Sequence, residues 1–574
     1  MSKIDRAIAD GLVFLPLGGT GEIGMNLNLY GCQGKWIAVD MGITFADATL
    51  PGVDLLTPRH EFIADRKDNL LGIVLTHAHE DHIGAVTHLW PDLQCPVYAT
   101  PFTAAMLRSK LAEANLLDEV PLHEVPLGGE FTLGSFHIRY ISLTHSIPEP
   151  NALGIKTPYG TVLHTGDWKI DPTPLVGDAI DDATLRAYGD EGVLALVCDS
   201  TNVLNPGESG SEAAVRNSLR ELVAGCTGRV AVTTFASNVA RLETVVKIAA
   251  ENDRHTVLVG RSMHRAVSAA REVGYLSDMP PFVDEDDGGY LPPDKVLYLC
   301  TGSQGEPRGA MARIARGDHK KISLGPGDTV IFSAKIIPGN EKVLGELHNQ
   351  LACAGIEILT ERDHFVHVSG HPGRDELTRM YQWTRPQIAV PVHGEDVHLI
   401  RHEEFARQQG VPQPVRIGNG DALRLAPKAP KVIGTVPTGR FAVDGGELVA
   451  VDGDVIRARR QLMFNGHAGV SLVVDEAGIL WTEPRISLRG LPENPATREY
   501  ATTALDAALE AARSLSRNKA ADDEELGEAV RRAVRRAIRN LCGKKPVTDV
   551  EIIRLSRQQM MEGGIYQMEL ESEE

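Results

Sequence analysis

Between Leu71 and Gly84 the chain reads Leu-Gly-Ile-Val-Leu-Thr-His-Ala-His-Glu-Asp-His-Ile-Gly, so His77, His79, Asp81 and His82 fall within six residues directly after a buried-strand run. With 20 histidines in 574 residues, composition alone produces an H-x-H-x-D-H array with a probability on the order of 10⁻³. Imidazole and carboxylate donors without thiolate suit Zn²⁺ or Mn²⁺ at an open hydrolytic centre, not a closed structural zinc. Two sets of donors this close in sequence point to two metals.

One six-residue loop cannot fill two coordination shells, so further donors are expected at other strand ends. His145 follows the strand-like stretch 137–143, Asp167 follows 161–164 in Thr-Gly-Asp, and His393 follows 387–390 in Pro-Val-His-Gly-Glu. Alone, each has a plain reading as an ordinary surface or core histidine or a Gly-Asp turn. Their joint occurrence with the histidine loop favours a single centre. A competing motif, Gly19-Thr-Gly-Glu-Ile-Gly24, has the G-x-G-x-x-G spacing of a dinucleotide site, with Asp40 at the usual distance of the acid. That site needs a helix to open at the glycines, whereas residues 25–30 alternate like a strand. The glycines are therefore expected to make turns or to bring backbone close to a site built by other residues.

Two kinds of element must position these residues. Short β-type runs dominate 13–199 (26–30, 36–40, 70–76, 137–143, 161–165 and 193–198), and few segments there look helical. After Pro206-Gly207, helix-like stretches (212–224, 238–250, 262–273, 340–354) alternate with buried-strand runs (229–234, 256–259, 296–300, 329–333, 357–360), the pattern of a parallel α/β layer. A Pro- and Lys-containing stretch at 425–437 marks a third change, and two helices are expected at 497–518 and 522–541, the second with Val530, Val534, Ile538 and Leu541 on one face.

Composition narrows the class. Hydrophobic residues at 43% and charged residues at 24% supply a sizeable core, and 58 Lys+Arg against 77 Asp+Glu leave a net charge of −19. Bulk charge therefore does not grip polyanions, although a local basic or metal-lined cleft can. The seven scattered cysteines form no C-x-x-C, and no apolar run approaches a membrane span. Neither a signal peptide nor an anchor is expected, which favours a cytoplasmic protein without membrane contact.

The array HAHEDH with His145, Gly-Asp167 and His393 resembles the metallo-β-lactamase fold, and the α/β insertion resembles the β-CASP domain of nucleic-acid-processing members. The ordered motifs LGGTGEIGMN, THAHEDHIGA, THSIPE, TGDWK, CDSTN, FASN, TGSQGE, HVSGH and PVHGE resemble bacterial ribonuclease J over roughly residues 10–556. The resemblance implies an αββα sandwich in 1–208 and 372–453, a β-CASP insert in 209–371, a linker at 454–465 and a small α/β domain in 466–574 that serves assembly and ends in a short acidic tail. It implies one metal on His77, His79 and His145, a second on Asp81, His82 and His393, and Asp167 bridging both. Asp40 and Asp199 would orient ligands from behind. Asp81, Asp167 and His371 would be the catalytic residues, His371 by protonating the leaving oxygen or steadying charge. Ser237, at a helix N-terminus, and the run His367, Val368, Ser369, Gly370 and His371 would bind a terminal phosphate, and Phe45 would stack on a base.

The resemblance also implies two divalent ions per chain, Zn²⁺ or Mn²⁺ with Mg²⁺ a further option. The substrate would be single-stranded RNA, cut by 5′-to-3′ exonuclease and endonuclease action in decay and maturation. Homodimers or homotetramers and RNA-decay partners complete the picture. A lactamase- or thioesterase-type hydrolase of small molecules is the first alternative, weakened because a whole α/β domain separates two ligand segments. A DNA-directed β-CASP nuclease is the second, and a metal-free RNA-binding subunit is disfavoured by the complete set of seven ligands. The basic run Arg531, Arg532, Arg535, Arg536, Arg539, Lys544 and Lys545 reads as a solvated face or an interface before an RNA contact.

Overall fold

The computed structural model describes residues 2–47, 49–492, 497–556 and 558–559. Two sheets face each other. The first runs Lys431–Thr435, Asp421–Ala426, Leu12–Gly18, Leu27–Cys32, Lys35–Val39, Leu70–Val74, Val97–Ala99, Leu122–Glu124. The second runs Gln413–Pro414, Ile388–Val392, Ala195–Asp199, Gly160–His164, Asn151–Thr157, Phe136–Ser142, Glu130–Leu133. Phe14, Tyr30, Ile37, Val39 and Val74 of the first pack with Phe136, Ile138, Tyr140, Leu153, Val162, Val197 and Val390 of the second. This shared apolar layer is what one-sided strand alternation produces. On the outer face of the second sheet, Leu377, Met380, Trp383, Phe405 and Ala406 close a second core over Leu163, Leu196 and Ala389. The result is the αββα sandwich expected from the sequence. Helices here are more numerous than expected: Pro101–Glu113 buries Phe102, Ala104, Leu107 and Leu111 with almost no periodic stripe, which hid it from a search for alternating faces.

The insert is a parallel sheet ordered His255–Val259, Val296–Cys300, Val230–Thr233, Thr329–Phe332, Glu357–Leu359 and flanked by the expected helices, including Glu212–Gly225, Val239–Glu251, Arg261–Glu272 and Glu341–Cys353. Its core is a stack of β-branched and aromatic residues such as Val257, Val296, Tyr298, Val330 and Phe332.

Cα packing divides the chain into one unit of 1–45 with 55–441 and another of 46–54 with 442–574. The second unit thus begins before the boundary at 453 read from the sequence. Residues 454–465, read as a linker, form the regular helix Asp454–Asn465, and Arg459 ties it to Asp444 at 2.5 Å. In this unit Ala468, Val470, Leu472 and Val474 of strand His467–Asp475 pack on Leu526, Val530, Val534 and Ile538 of helix Asp523–Cys542 and on Ala504 and Ala508 of Thr497–Ser514. Leu541, expected on that apolar face, is exposed. Arg531 and Arg532 are both engaged by Glu528, the local neutralisation expected of a solvated charge run. The acidic tail lies outside the described residues. All seven cysteines are free, and among the described residues no helix is long and apolar enough to cross a membrane.

Helix Asp396–Gln408, which follows His393, is anchored by His402. This residue is fully buried, with Nδ1 at 2.8 Å from Ser200 Oγ and Nε2 at 2.9 Å from Tyr381 Oη. Burial pulls its pKa down to about 4, against a weaker opposing pull from Asp199. The folded chain therefore keeps His402 neutral while the unfolded chain protonates it near 6.5, so its contribution is whole above about pH 6.5 and is lost as pH falls toward 4. The shift is worth about 3 kcal/mol once complete. Thermal melts of the wild type should decline between pH 6.5 and 5, and His402→Gln should melt lower at pH 7 but decline less steeply. Parallel pH profiles for the two proteins would contradict this role.

Candidate metal centre

Six segments bring donors to one edge of the two facing sheets, each from the carboxyl end of a strand. Lys35–Val39 delivers Asp40, Leu70–Val74 leads to Thr76 and His77, and Phe136–Ser142 leads to His145. Gly160–His164 leads to Asp167, Ala195–Asp199 ends on Asp199, and Ile388–Val392 leads to His393. The short helix Glu80–Ile83 carries Asp81 and His82.

The structure brings His77, His79, His145 and Asp167 into one group whose potential ligand atoms lie within 4.8 Å of one another, and Asp81, His82, Asp167 and His393 into a second. Asp167 belongs to both. A third group of the same tightness joins Asp167, Asp199, His371 and His393. His79 Nδ1 lies 3.1 Å from both His77 Nε2 and His145 Nε2, and His393 Nε2 lies 3.2 Å from Asp81 Oδ2. His82 Nε2 is 3.2 Å from Asp167 Oδ2.

The residues behind these donors fix which ring nitrogen faces inward. His82 Nδ1–H donates to Asp40 Oδ2 at 2.8 Å, and Asp40 also accepts from the Thr76 backbone N–H and hydroxyl. His145 Nδ1–H donates to the Gly370 carbonyl at 2.5 Å, and His371 Nδ1–H donates to Asp199 Oδ2 at 2.8 Å. Thr201 Oγ1 sits 2.9 Å from His393 Nδ1 while its backbone N–H donates to Asp199. Such partners set the tautomer and aim of a ligating imidazole. Asp40 and His393 both hold left-handed backbone, at φ 63 and 51, a strained conformation for non-glycine residues that persists where surrounding structure enforces it. Gly42 is required by close approach, since a Cβ there would lie 1.6 Å from the Asp81 carbonyl oxygen.

The glycine motif at 19–24 forms no helix. Gly19, Gly21 and Gly24 take φ of 83, 83 and 89; Gly19 O accepts from His393 N–H at 2.6 Å, and Gly24 N lies 3.3 Å from His393 Nε2. Its glycines bring backbone against the centre, as the strand-like residues after them suggest.

Electrostatics divide the histidines into two kinds. Burial pushes His77 and His145 well below the usual imidazole range and His79 down to about 4, leaving unprotonated nitrogens aimed at one another. For His82 and His393 burial pulls the same way, but Asp167, joined by Asp81 and by Asp40 or Asp199, holds both well above that range. Burial alone would raise the carboxyl groups of Asp81, Asp167 and Asp199; their histidine neighbours hold all three low. The donor set fits divalent cations on one further observation: Asp167 Oδ1 is buried with no hydrogen-bond partner. His393 Nδ1 stands 3.5 Å from it, beyond a good hydrogen bond; a buried carboxylate oxygen without one is costly, and a cation held in the group would satisfy it.

The remaining sequence candidates are placed unevenly. Ser369 Oγ accepts from Asn202 Nδ2 at 2.7 Å and from the His371 N–H at 3.2 Å, so Ser369 braces His371. Val368 is buried, and a Cβ built on Gly210 would meet its Cγ1 at 3.0 Å. Gly370 is pressed on His145, where a Cβ would lie 2.6 Å from the ring. Ser237 does not cap a helix: the cap of Val239–Glu251 is Asn238, whose side chain accepts from the Arg241 N–H. The longer amide side chain reaches that donor from one position later. Phe45 is 69% exposed, two residues after Ile43, whose N–H binds the Glu80 carbonyl beside Asp81. Asn26, whose Nδ2 donates to the Asp81 carbonyl at 3.1 Å and lies 3.2 Å from His82 Nε2, and Thr76, Thr201 and Asn202 escaped sequence reasoning, because single hydroxyl and amide side chains carry no spacing signal. Only their positions inside the motifs GMN, THAHEDH and CDSTN could have flagged them.

Residues 35–186 match the family described as beta-lactamase superfamily domain, 227–351 match ribonuclease J, beta-CASP domain, 355–417 match Zn-dependent metallo-hydrolase RNA specificity domain, and 454–555 match ribonuclease J C-terminal domain. The chain is 49% identical over 493 residues to Ribonuclease J of Sinorhizobium meliloti, covering 85% of this chain and 87% of that protein. It is 38% identical over 497 residues to Ribonuclease J of Mycolicibacterium smegmatis, covering 85% and 88%. Among solved structures, a protein of unknown function from Enterococcus faecalis superposes with a TM-score of 0.50 at 15% identity over 72% of this chain and 100% of that one, a likeness of fold. The four matched regions in this order, around a centre of this composition, leave one conclusion: the chain belongs to the ribonuclease J family of metal-dependent ribonucleases, in which a metallo-β-lactamase domain carries a β-CASP insert.

Proposed function

We propose that this chain hydrolyses single-stranded RNA at a two-metal centre, removing nucleotides from a 5′-monophosphorylated end in the 5′-to-3′ direction and also cutting internally. The observation that supports it best is the segment from Val366 to His371. It leaves the insert's sheet, where Val366 O is bound by Arg241 and Ser333, and ends against the centre through Gly370 on His145 and His371 on Asp199. A hydrolase of small molecules has no need for an α/β domain welded to its metal ligands.

In this reading His77, His79 and His145 would hold one cation, Asp81, His82 and His393 would hold the other, and Asp167 would serve both. Divalent cations supply a nucleophilic water at neutral pH and neutralise charge on the phosphoryl oxygens. Asp40 and Asp199 hold the His82, His371 and His393 rings in place. The Asp199 carboxylate raises the His371 imidazole against burial, which favours the protonated ring needed to deliver a proton to the leaving oxygen. Ser369 and Asn202 steady that residue. His367, Ser369, His371 and Ser237 line the approach of the terminal phosphate, and Phe45 lies open to stack on a base. The chain would act in the cytoplasm in RNA decay and maturation, as a homodimer or homotetramer and alongside other decay proteins, with its C-terminal domain serving assembly.

Three outcomes are expected. Elemental analysis of the loaded enzyme should show two divalent ions per chain. Asp167→Ala should lose at least one of them and reduce turnover by at least about 100-fold, more than typical losses from supporting residues. A chelator should abolish activity, and separate additions of Mn²⁺, Zn²⁺ and Mg²⁺ should identify the working metal. A single ion at saturation would overturn the two-metal assignment.

RNAs differing only at the 5′ end should be degraded in the order monophosphate, hydroxyl, triphosphate, releasing mononucleotides, because a pocket for one phosphate crowds two more. Products shortened from the 3′ end, or equal attack on matching DNA, would replace this reading with another nuclease activity.

Ending the chain at residue 441, where the first compact unit closes, should lower the mass measured by light scattering while metal binding persists. An unchanged oligomer would place assembly elsewhere.

A further inference from the structure

The loop that carries His145 joins strand Phe136–Ser142 to strand Asn151–Thr157 and is closed by the Leu143 N–H on the Pro150 carbonyl at 2.9 Å. The insert reaches this loop at three points. In its middle, His145 Nδ1–H donates to the carbonyl of Gly370, on the segment that leaves the insert's sheet. At its first end, the Thr144 hydroxyl accepts from the Asp171 N–H at 3.0 Å and donates to the Lys169 carbonyl at 2.8 Å, while the Thr144 carbonyl accepts from the Lys169 N–H at 2.7 Å. Asp171 then crosses to the insert, where its Oδ2 accepts from the Glu212 N–H at 2.9 Å, and its Oδ1 accepts from the Thr173 N–H at 3.0 Å. At the far end of the loop, Glu149 Oε2 accepts from the Phe102 N–H at 2.8 Å and Oε1 from the Tyr275 hydroxyl at 3.3 Å. Tyr275 belongs to the insert, just past helix Arg261–Glu272.

Each crossing is built for position. Glu212 opens helix Glu212–Gly225, whose first N–H groups have no partner within the helix, so a sandwich carboxylate caps a helix of the other body. Asp171 and Glu149 are both buried, and Glu149 holds left-handed backbone at φ 53, a conformation that surrounding structure must enforce. Glu149 has one oxygen on the first turn of helix Pro101–Glu113 and the other on the insert. Between loop and insert lies a cavity of about 30 Å³, room for about two waters, lined by His145, Ile147, Glu149, Asp171, Glu212 and Tyr275. Across that gap polar ties, not close packing, set the spacing. A displacement of the insert therefore acts on both ends of the loop and on the imidazole it carries.

We propose that Asp171 and Glu149 are positioning residues through which the docked insert sets the aim of His145, so that the insert governs how firmly the cation at His77, His79 and His145 is held. This rests on the two-metal reading of the centre and gives the insert a part in keeping one of the two ions.

The test loads the full-length enzyme with Mn²⁺, challenges it with EDTA and follows the release of each ion, with kcat and KM on RNA and the melting temperature measured alongside. Asp171→Asn should release one ion about tenfold faster and the other at the wild-type rate, with kcat falling by a similar factor and KM changed by at most about twofold. Tyr275→Phe, a change confined to the insert, should hasten the same ion in smaller measure. His145→Ala identifies that ion. Adding Asp171→Asn to His145→Ala should hasten its release no further, because the loop then has no ligand to aim. Wild-type release from both Asp171→Asn and Tyr275→Phe would overturn the proposal. So would faster loss of both ions in step with a lower melting temperature, the mark of residues that only support the fold. A wild type holding a single ion would overturn the two-metal reading, and the coupling would then stand or fall on the release of that ion.

Discussion

Six imidazoles and three carboxylates meet in overlapping groups at one edge of the sandwich, most of them buried. Burial expels charge, and the carboxylates can stay ionised there only because protonated histidines or cations sit against them. Asp167 carries the sharpest form of this conflict, with one oxygen near four imidazoles and the other without a hydrogen bond. Much around the centre answers that demand: strand ends that deliver the donors, Asp40 and Asp199 behind the rings, and left-handed backbone at Asp40 and His393. A centre assembled from so many strand ends holds its aim because each strand is fixed by a packed core.

The link between the two α/β bodies of the catalytic unit follows from the same demand. Gly370 offers its carbonyl to His145 and has no side chain to keep the ring away, while Arg241 and Glu212 brace the far end of the segment inside the insert. Asp171 continues the brace, accepting from Glu212 N–H and donating its own N–H to Thr144 beside His145. An ion pair as deeply buried as Arg241 with Glu212 adds little to stability by itself. Its value is positional, since it fixes Val366 and hence the path from the sheet crest to His371.

Legibility in the sequence followed physical periodicity and rarity. Strands such as Leu70–Val74 and Val296–Cys300 were readable because short apolar runs bounded by turn residues are the mark of a strand buried on both faces, and the insert's helices because each has one apolar stripe. The histidine loop was readable because its spacing is improbable by chance. Helix Pro101–Glu113 was not, because it is buried on several faces and shows no stripe. Helix Asp454–Asn465 buries only Ile456, so its pattern resembles a solvated connector. Asn202, Thr201 and Asn26 matter only through what they touch across long stretches of chain, and no local pattern encodes that. The resemblance could say that the segment 367–371 belongs near the site; only geometry shows Ser369 Oγ accepting from the His371 N–H and the Gly370 carbonyl accepting from His145.

An acidic protein that processes a polyanion must separate attraction from affinity. At a net charge of −19 the long-range field repels RNA, and at physiological salt that field is screened within about 8 Å. On the proposed reading, binding would come from short-range features inside that distance: divalent cations held by the centre and an uncovered ring such as Phe45. None of these reads base identity, since phosphate and π-faces are common to every nucleotide. The same economy accounts for the basic residues of helix Asp523–Cys542 being partly neutralised by Glu528 within the helix. A strongly basic exterior would hold RNA along its whole length and slow release after each cut, a cost that contacts confined to the centre avoid.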